Sequence, residues 1–390
     1  MVEALQSSTR YEGDKAAGAT VLQVLPALET GGVERGTVQV ASALATAGWR
    51  PLVASAGGAM VRELDRFEAE HFQLPLASKN PLRMVANADK LAALINGQGI
   101  DLVHARSRAP AWSALSAARR TGKPFVTTVH SPYGHNWLKH YYNAVMTKGD
   151  RVIAISDFVA DYVRRHYRVD DDHLVTIPRG IDIDLFNPGA VSAERIIALS
   201  QSWNLRADHP VVMLPGRLTR WKGQGVLLEA LARLKRQDFA CVLVGSDQGR
   251  HGYRAELEAK VRALDLESVV WIADHCRDMP AAYMLADVVV SASTEPEGFG
   301  RVAVEAQAMG RPVIATDHGG ARETVRPGET GWLVPPGDAE ALATAIEFAL
   351  SLAQDDRAWI AANARSNAVD NFSVALMTDR VLSVYASLLG

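Results

Sequence analysis

The stretch STEPEGFGRVAVEAQAMGRPVIATDHGGARETV, residues 293–325, holds two glutamates, Glu297 and Glu305, around a glycine turn. A carboxylate accepts hydrogen bonds only, so a pair of them suits the vicinal hydroxyls of a sugar or a ribose. Gly298, Phe299 and Gly300 between them can offer backbone N–H groups at the entry of a helix that starts near Arg301. Glu305 then falls in the first or second turn of that helix, and could reach the same pocket as Glu297 at a different depth. The alternatives are a surface loop acid for Glu297 and a dipole-favoured acid for Glu305.

Two further loops carry complementary charge. In GRLTRWKG, Arg217 and Lys222 lie five residues apart in a loop that opens a helix. A guanidinium fork and an ammonium point charge at a helix N-terminus suit a diphosphate. The other reading is a solvated basic loop. After the first strand, Gly31 and Gly32 open another helix, where exposed N–H groups can meet a phosphate or simply form a turn. The spacing is that of neither GxGxxG nor a Walker loop. His130, in VTTVHSPYG, stands at a strand end, where it is either structural or close to chemistry. Asp182-Ile183-Asp184 is a DxD without an evident third ligand, and Asp170-Asp171-Asp172 reads as a solvated turn. A metal is not needed where Arg217 and Lys222 supply positive charge.

Short apolar runs alternate with amphipathic segments along the whole chain. VLQVLPAL, RPLVASAGG, IDLVHARS, KPFVTTVHS and RVIAIS read as strands between helices. The pattern pauses at IPRGIDIDLFNPG and restarts at PVVMLP, ACVLVGS, VVWIAD, VVVSAS, PVIAT and GWLVPP. Alternation of this kind specifies a parallel sheet wound on both faces. The expected fold class is therefore α/β, with two Rossmann-like doubly wound parallel-sheet domains whose facing strand ends form an interdomain cleft. The expected boundaries are 1–190, 191–370 and a last amphipathic helix over 371–390. Residues 1–19 read as a frayed tail.

The 390 residues carry a net charge of −3, +2 over residues 1–190 and −5 over 191–390, so the whole molecule is no nucleic-acid magnet, and the asymmetry permits only a weak lean of the first half toward an anionic surface. Cys241 and Cys276 form no CxxC or Cys/His pattern, so neither a disulfide framework nor a zinc site is expected. The N-terminus lacks an apolar signal core, and no run of about 18 apolar residues occurs. A cytoplasmic location fits. The aromatic segment HNWLKHYYNAVMTKG, with Trp137, Tyr141 and Tyr142, either packs in the core, shapes an acceptor pocket or rests on the cytoplasmic face of an inner membrane.

The segment EGFGRVAVE, with GRLTRWKG upstream and HGGARETV downstream, resembles glycosyltransferase family 4, the retaining nucleotide-sugar enzymes of the GT-B fold. The resemblance runs from GGVER through VTTVHSPYG and IPRGIDIDLF to GWLVPPGD. Residues 293–325 also resemble a bacterial subgroup that builds lipopolysaccharide core or capsule, often from mannose donors. The resemblance implies that Arg217 and Lys222 grip the donor diphosphate and Glu305 holds the ribose. It places Glu297, Gly298 and the backbone of Phe299 and Gly300 on the transferred sugar. Gly31 and Gly32 would meet the phosphate from the other domain, and His130 would lie near the sugar C6 hydroxyl and the reacting centre. Arg179 stands where the family often has Asn, and its role stays open.

The implied reaction moves a hexosyl group, mannosyl favoured, from a GDP- or UDP-linked donor to a lipopolysaccharide-core, lipid-linked or polysaccharide hydroxyl. No cofactor or metal is expected beyond the donor itself. The absence of an evident enzymic nucleophile favours front-face attack. A UDP-dependent glucosyl- or N-acetylglucosaminyltransferase is the alternative, and a non-catalytic nucleotide-binding regulator is a further one. The base is expected to be read by backbone around Ile272 to Arg277.

Overall fold

The computed structural model describes residues 18–133, 137–234, 236–249 and 251–390. The tail expected to be frayed lies almost wholly outside them, as does the start of the aromatic segment at His135 and Asn136. The chain forms two compact units. The first takes in the chain up to Ala154, Val163–Ile177 and Thr378–Gly390, and the second takes in Ile155–Tyr162 and Pro178–Met377.

The first unit holds a seven-stranded sheet. Its strands are β1 (Thr20–Val24), β2 (Arg50–Ser55), β3 (Glu70–Gln73), β4 (Leu102–Ala105), β5 (Phe125–Val129), β6 (Arg151–Ala154) and β7 (Leu174–Thr176). They lie in the order β3-β2-β1-β4-β5-β6-β7, and every pairing is parallel. The central strands are buried at every position, which is why TVLQV and FVTTV read as near-continuous apolar runs rather than alternating ones.

The second unit repeats the plan with six parallel strands: β8 (Val211–Pro215), β9 (Ala240–Val244), β10 (Val270–Ala273), β11 (Val288–Ser291), β12 (Val313–Thr316) and β13 (Gly331–Val334). Their order is β10-β9-β8-β11-β12-β13. In both sheets the order reverses between the first and fourth strands, at β1/β4 and at β8/β11. Loops leaving the carboxyl ends of such a pair diverge and open a crevice for ligand. The loops singled out by sequence leave β1, β5, β8 and β11.

The sequence reading did not anticipate β7 or the helices Ala193–Ser202, Ala321–Thr324 and Gln354–Phe372. The last helix begins at Val374 rather than 371, because Ser373 is extended and pairs with Ile181 as an isolated parallel bridge. Tyr385 on that helix is fully buried in the first unit, with its ring centroid 6.4 Å from Trp49.

Candidate active site

In the second unit the loop after β8 makes a short 3-10 turn, Arg220–Lys222, that ends at Gly223. Gly223 has φ 74, and a Cβ there would collide with the carbonyl of Ala292 at the end of β11. The backbone N–H of Thr294 donates to the Trp221 carbonyl at 2.7 Å. These two close approaches lay the β8 loop against the β11 loop and bring Lys222 to Glu297.

The Lys222 ammonium lies 2.7 Å from Glu297 Oε1, and both side chains are mostly buried. The Ser293 hydroxyl donates to the same oxygen. Among the described residues no side chain bonds Oε2, so that oxygen is the one open to a ligand hydroxyl. Lys222 also stands 4.5 Å from the centroid of the Trp221 ring. Arg217 is exposed, and its guanidinium has no carboxylate partner among the described residues. The two cations therefore differ. Lys222 is tied to the glutamate expected to touch the sugar, whereas Arg217 is available to a phosphate.

Glu297 is held by its neighbours in three dimensions. The Gly320 N–H donates to its carbonyl at 2.9 Å. A Cβ on Gly319, where φ is 59, would sit 2.5 Å from the same carbonyl oxygen, and one on Gly320 would sit 2.5 Å from Phe299 Cα. The glycine pair downstream thus exists to let the HGG turn lie backbone-on-backbone against the EGFG loop. His318 Nε2 and Thr316 Oγ1 each donate to the Ser293 carbonyl at 2.8 Å, which fixes the end of β11. Phe299 is buried and meets Phe372 edge-on at 5.6 Å.

Glu305 sits five residues into the helix Arg301–Ala308, in its second turn. Arg301 Nη2 donates to Oε1 at 2.8 Å, and the Tyr283 hydroxyl donates to Oε2 at 2.9 Å. Tyr283 is fully buried. Burial first, and then the Glu305 charge and hydrogen bond, raise its hydroxyl well above the ordinary value of 10.0, so it remains a donor. Each carboxylate oxygen keeps further acceptor capacity for a diol. Arg301, four residues before Glu305 on the same helix, was within reach of a spacing argument. Tyr283 comes from a distant helix, and nothing in the local sequence marks it.

In the first unit, Gly31 caps the helix Gly32–Thr46, and the Glu34 side chain folds back over Gly31. An acid therefore lies at the helix N-terminus where the sequence reading puts an anion. His130 follows β5, and its Nε2 lies 3.0 Å from the Arg106 carbonyl. A carbonyl only accepts, so Nε2 carries the proton. The DxD loop is locally satisfied, since Asp182 Oδ1 accepts from the N–H groups of Asp184 and Leu185 at 3.2 and 2.9 Å.

Comparison with known proteins places this constellation. The family model for glycosyltransferase family 4 matches residues 30–185, and that for glycosyl transferases group 1 matches residues 196–366. The chain is 32% identical to a D-inositol 3-phosphate glycosyltransferase of Xylanimonas cellulosilytica, over 73% of this chain and 72% of that protein. A protein of the same description from Saccharomonospora viridis is 31% identical over 74% of this chain and 64% of its own length. Among solved structures, a glycosyltransferase from Rickettsia africae is 39% identical, with a TM-score of 0.90 over 95% of this chain and 99% of that one. Anabaena HepE in complex with UDP and glucose is 26% identical, with a TM-score of 0.81 over 94% and 99%. The chain belongs to glycosyltransferase family 4. It is a glycosyltransferase, and its two Rossmann-like units are those of the GT-B fold.

Proposed function

We propose that the protein transfers a hexosyl group from a UDP-linked donor to a hydroxyl acceptor, with retention at the anomeric carbon and without a metal. The observation that carries this reading is the Lys222–Glu297 pair at 2.7 Å, in the same loop as Arg217, which has no ion pair among the described residues. One carboxylate faces sugar hydroxyls while cations of the same loop cluster meet the diphosphate. When the bond from C1 to the phosphate breaks, negative charge grows on the leaving group. Lys222, held in place by Glu297, is a fixed donor for it, and Arg217 of the same loop is free to join it; a preorganised donor commonly contributes about 3 kcal/mol. Glu305, held by Tyr283 and Arg301, takes the ribose hydroxyls. The roles of Gly31, Gly32 and His130 rest on the family resemblance.

UDP replaces the mannosyl-donor expectation as the favoured base because HepE, a neighbour of this fold at 26% identity, is described with UDP and glucose. Residues 293–325 support the mannosyl reading, and with it a GDP donor and a lipopolysaccharide-core, lipid-linked or polysaccharide acceptor. Thermal shift of the purified protein against UDP, GDP, ADP, CMP and TDP, with magnesium or with a chelator, separates these. A ligand at 100 times its Kd stabilises by about 2.7 kcal/mol. The expected result is a shift with UDP that the chelator leaves unchanged. A shift with GDP alone moves the donor to a mannosyl or fucosyl nucleotide. No shift with any nucleotide removes the donor site drawn from Arg217, Lys222 and Glu305.

A further inference from the structure

Of the nine large apolar side chains that are exposed among the described residues, five cluster in two helices of the first unit. Leu82 and Val85 stand on the helix Pro81–Gln98, exposed by 80% and 63%. Trp137, Leu138 and Tyr141 stand on the helix Trp137–Asn143, exposed by 76%, 58% and 69%. Between these helices and Arg108–Thr121 lies a cavity of about 470 Å³. Met84, Val85, Trp112 and Tyr141 line it, together with Lys79 and Arg120.

The cavity is built rather than left over. Trp112 stacks on Tyr141 with centroids 5.8 Å apart, and its indole N–H donates to the Tyr142 carbonyl at 3.0 Å. Ser113 Oγ donates to the Met84 carbonyl at 2.8 Å, which ties the floor to the exposed helix. The Asn80 side chain accepts from the N–H groups of Leu82 and Arg83, so the apolar end of that helix is capped.

The stretch of chain that carries these helices is rich in cations. Residues 71–148 contain ten Lys and Arg against two acids, Asp89 and Asp101. Those two acids are already paired, with Arg120 at 2.6 Å and with Lys123 at 3.6 Å. Lys79, Arg83, Lys90, Lys139 and Lys148 have no ion pair among the described residues. Lys148 instead stands 5.6 Å over the Trp112 ring.

We propose that this face docks on an anionic phospholipid bilayer, with Leu82, Val85 and Trp137 entering the headgroup–acyl boundary and one acyl chain occupying the Trp112 cavity. Exposed apolar side chains on helices of a cation-rich stretch match a surface that is apolar below and anionic above. Trp and Tyr suit that boundary because each has an apolar ring and a polar tip. A second copy is a poor occupant, since face-to-face pairing would bring two cationic surfaces together. None of the helices among the described residues is long and apolar enough to cross a membrane, so contact would be interfacial.

The test is flotation of the full chain with phosphatidylcholine vesicles, alone or with about 30 mol% phosphatidylglycerol. The protein is expected to float with the anionic vesicles only, and less as salt is raised. Leu82→Glu/Val85→Glu is expected to lower partitioning at least about tenfold. Both sites are exposed, so folding is preserved, and the nucleotide thermal shift checks it. Acyl chains brominated along their length are expected to quench Trp112, read as the signal that Trp112→Phe removes. Three outcomes overturn the proposal: no flotation, flotation unchanged in the double variant, or a dimer in solution that the double variant dissolves. Donor binding is measured without vesicles, so failure here leaves the transferase reading untouched.

Discussion

Each of the two glutamates carries its own set of donors, and this is what makes them distinguishable by experiment. Glu305 keeps Arg301 when the Tyr283 hydroxyl is removed, whereas Glu297 depends on Lys222 and Ser293. Tyr283→Phe deletes one hydrogen bond to a charged group and leaves a packed ring. Such a bond is worth about 1.5–3 kcal/mol when the acceptor is charged, and Arg301 retains part of the orientation. The expected outcome is a KM for the nucleotide sugar raised about tenfold with kcat within about twofold, because ribose contacts act equally in ground and transition states. Steady-state kinetics against the donor check it. An unchanged KM would show that Glu305 needs no orientation by Tyr283. Arg217, Lys222 and Glu297 were legible in the sequence because they stand in short glycine-bounded loops, and Glu305 because it follows one such loop on the next helix. Of their partners only Arg301, four residues before Glu305 on one helix, was within reach of the sequence. Tyr283 was not, because its approach to Glu305 is a tertiary fact with no local mark. The Lys222–Glu297 pair was hidden for the same reason: both had been given separate ligands, and nothing local says that they meet.

Loops at the second sheet's switch point are rigid because backbone meets backbone. Gly320 packs on Phe299 Cα and donates to the Glu297 carbonyl, so a methyl group there pushes the EGFG loop away. Gly320→Ala is expected to cost more than about 2 kcal/mol and to abolish the nucleotide thermal shift. Gly97→Ala is the control. Gly97 is exposed within the helix Pro81–Gln98, and a Cβ there meets nothing within 4 Å. That variant is expected to be neutral or to gain up to about 1 kcal/mol. Urea denaturation of the pair measures both, and equal stabilities would refute the close approach. At this scale the sheets were legible because buried parallel strands are continuous apolar runs. The helix Gln354–Phe372 was not. Its buried face is Ile360, Ala364, Asn367, Ala368 and Phe372, with small and polar residues where a stripe of Leu and Val would announce a helix. Asn367 takes its place there by donating to Gln307 Oε1 at 2.7 Å and to the Thr324 carbonyl. β7 was missed because it is three residues long and follows the Asp170–Asp172 turn.

The whole molecule shows most clearly where composition misleads. Summed over residues 1–190 the charge is only +2, which hides the cation-rich stretch 71–148 inside it. Summed polarity hides a second feature, a buried polar chain at the heart of the first unit. His104 on β4 is fully buried; its Nδ1 lies 2.6 Å from the Tyr385 hydroxyl and its Nε2 2.7 Å from Thr128 Oγ1. Arg106 nearby is also buried. Burial, and then the Arg106 charge, hold the His104 imidazole well below its ordinary value of 6.5. The native state therefore keeps His104 neutral, while the unfolded chain binds a proton below pH 6.5. A depressed histidine contributes stability that is fully present above the unfolded value and is lost as pH falls below it. Below about pH 6.5 the loss approaches about 1.4 kcal/mol per pH unit until the folded state itself takes the proton. His104→Gln keeps hydrogen-bonding capacity but does not titrate. Unfolding free energies at about pH 8 and about pH 5.5 should therefore fall further for the wild type than for the variant, by about 1 kcal/mol. Parallel profiles would mean that the folded protein takes up the His104 proton over the same pH range as the unfolded chain, which would set an imidazolium beside the buried Arg106.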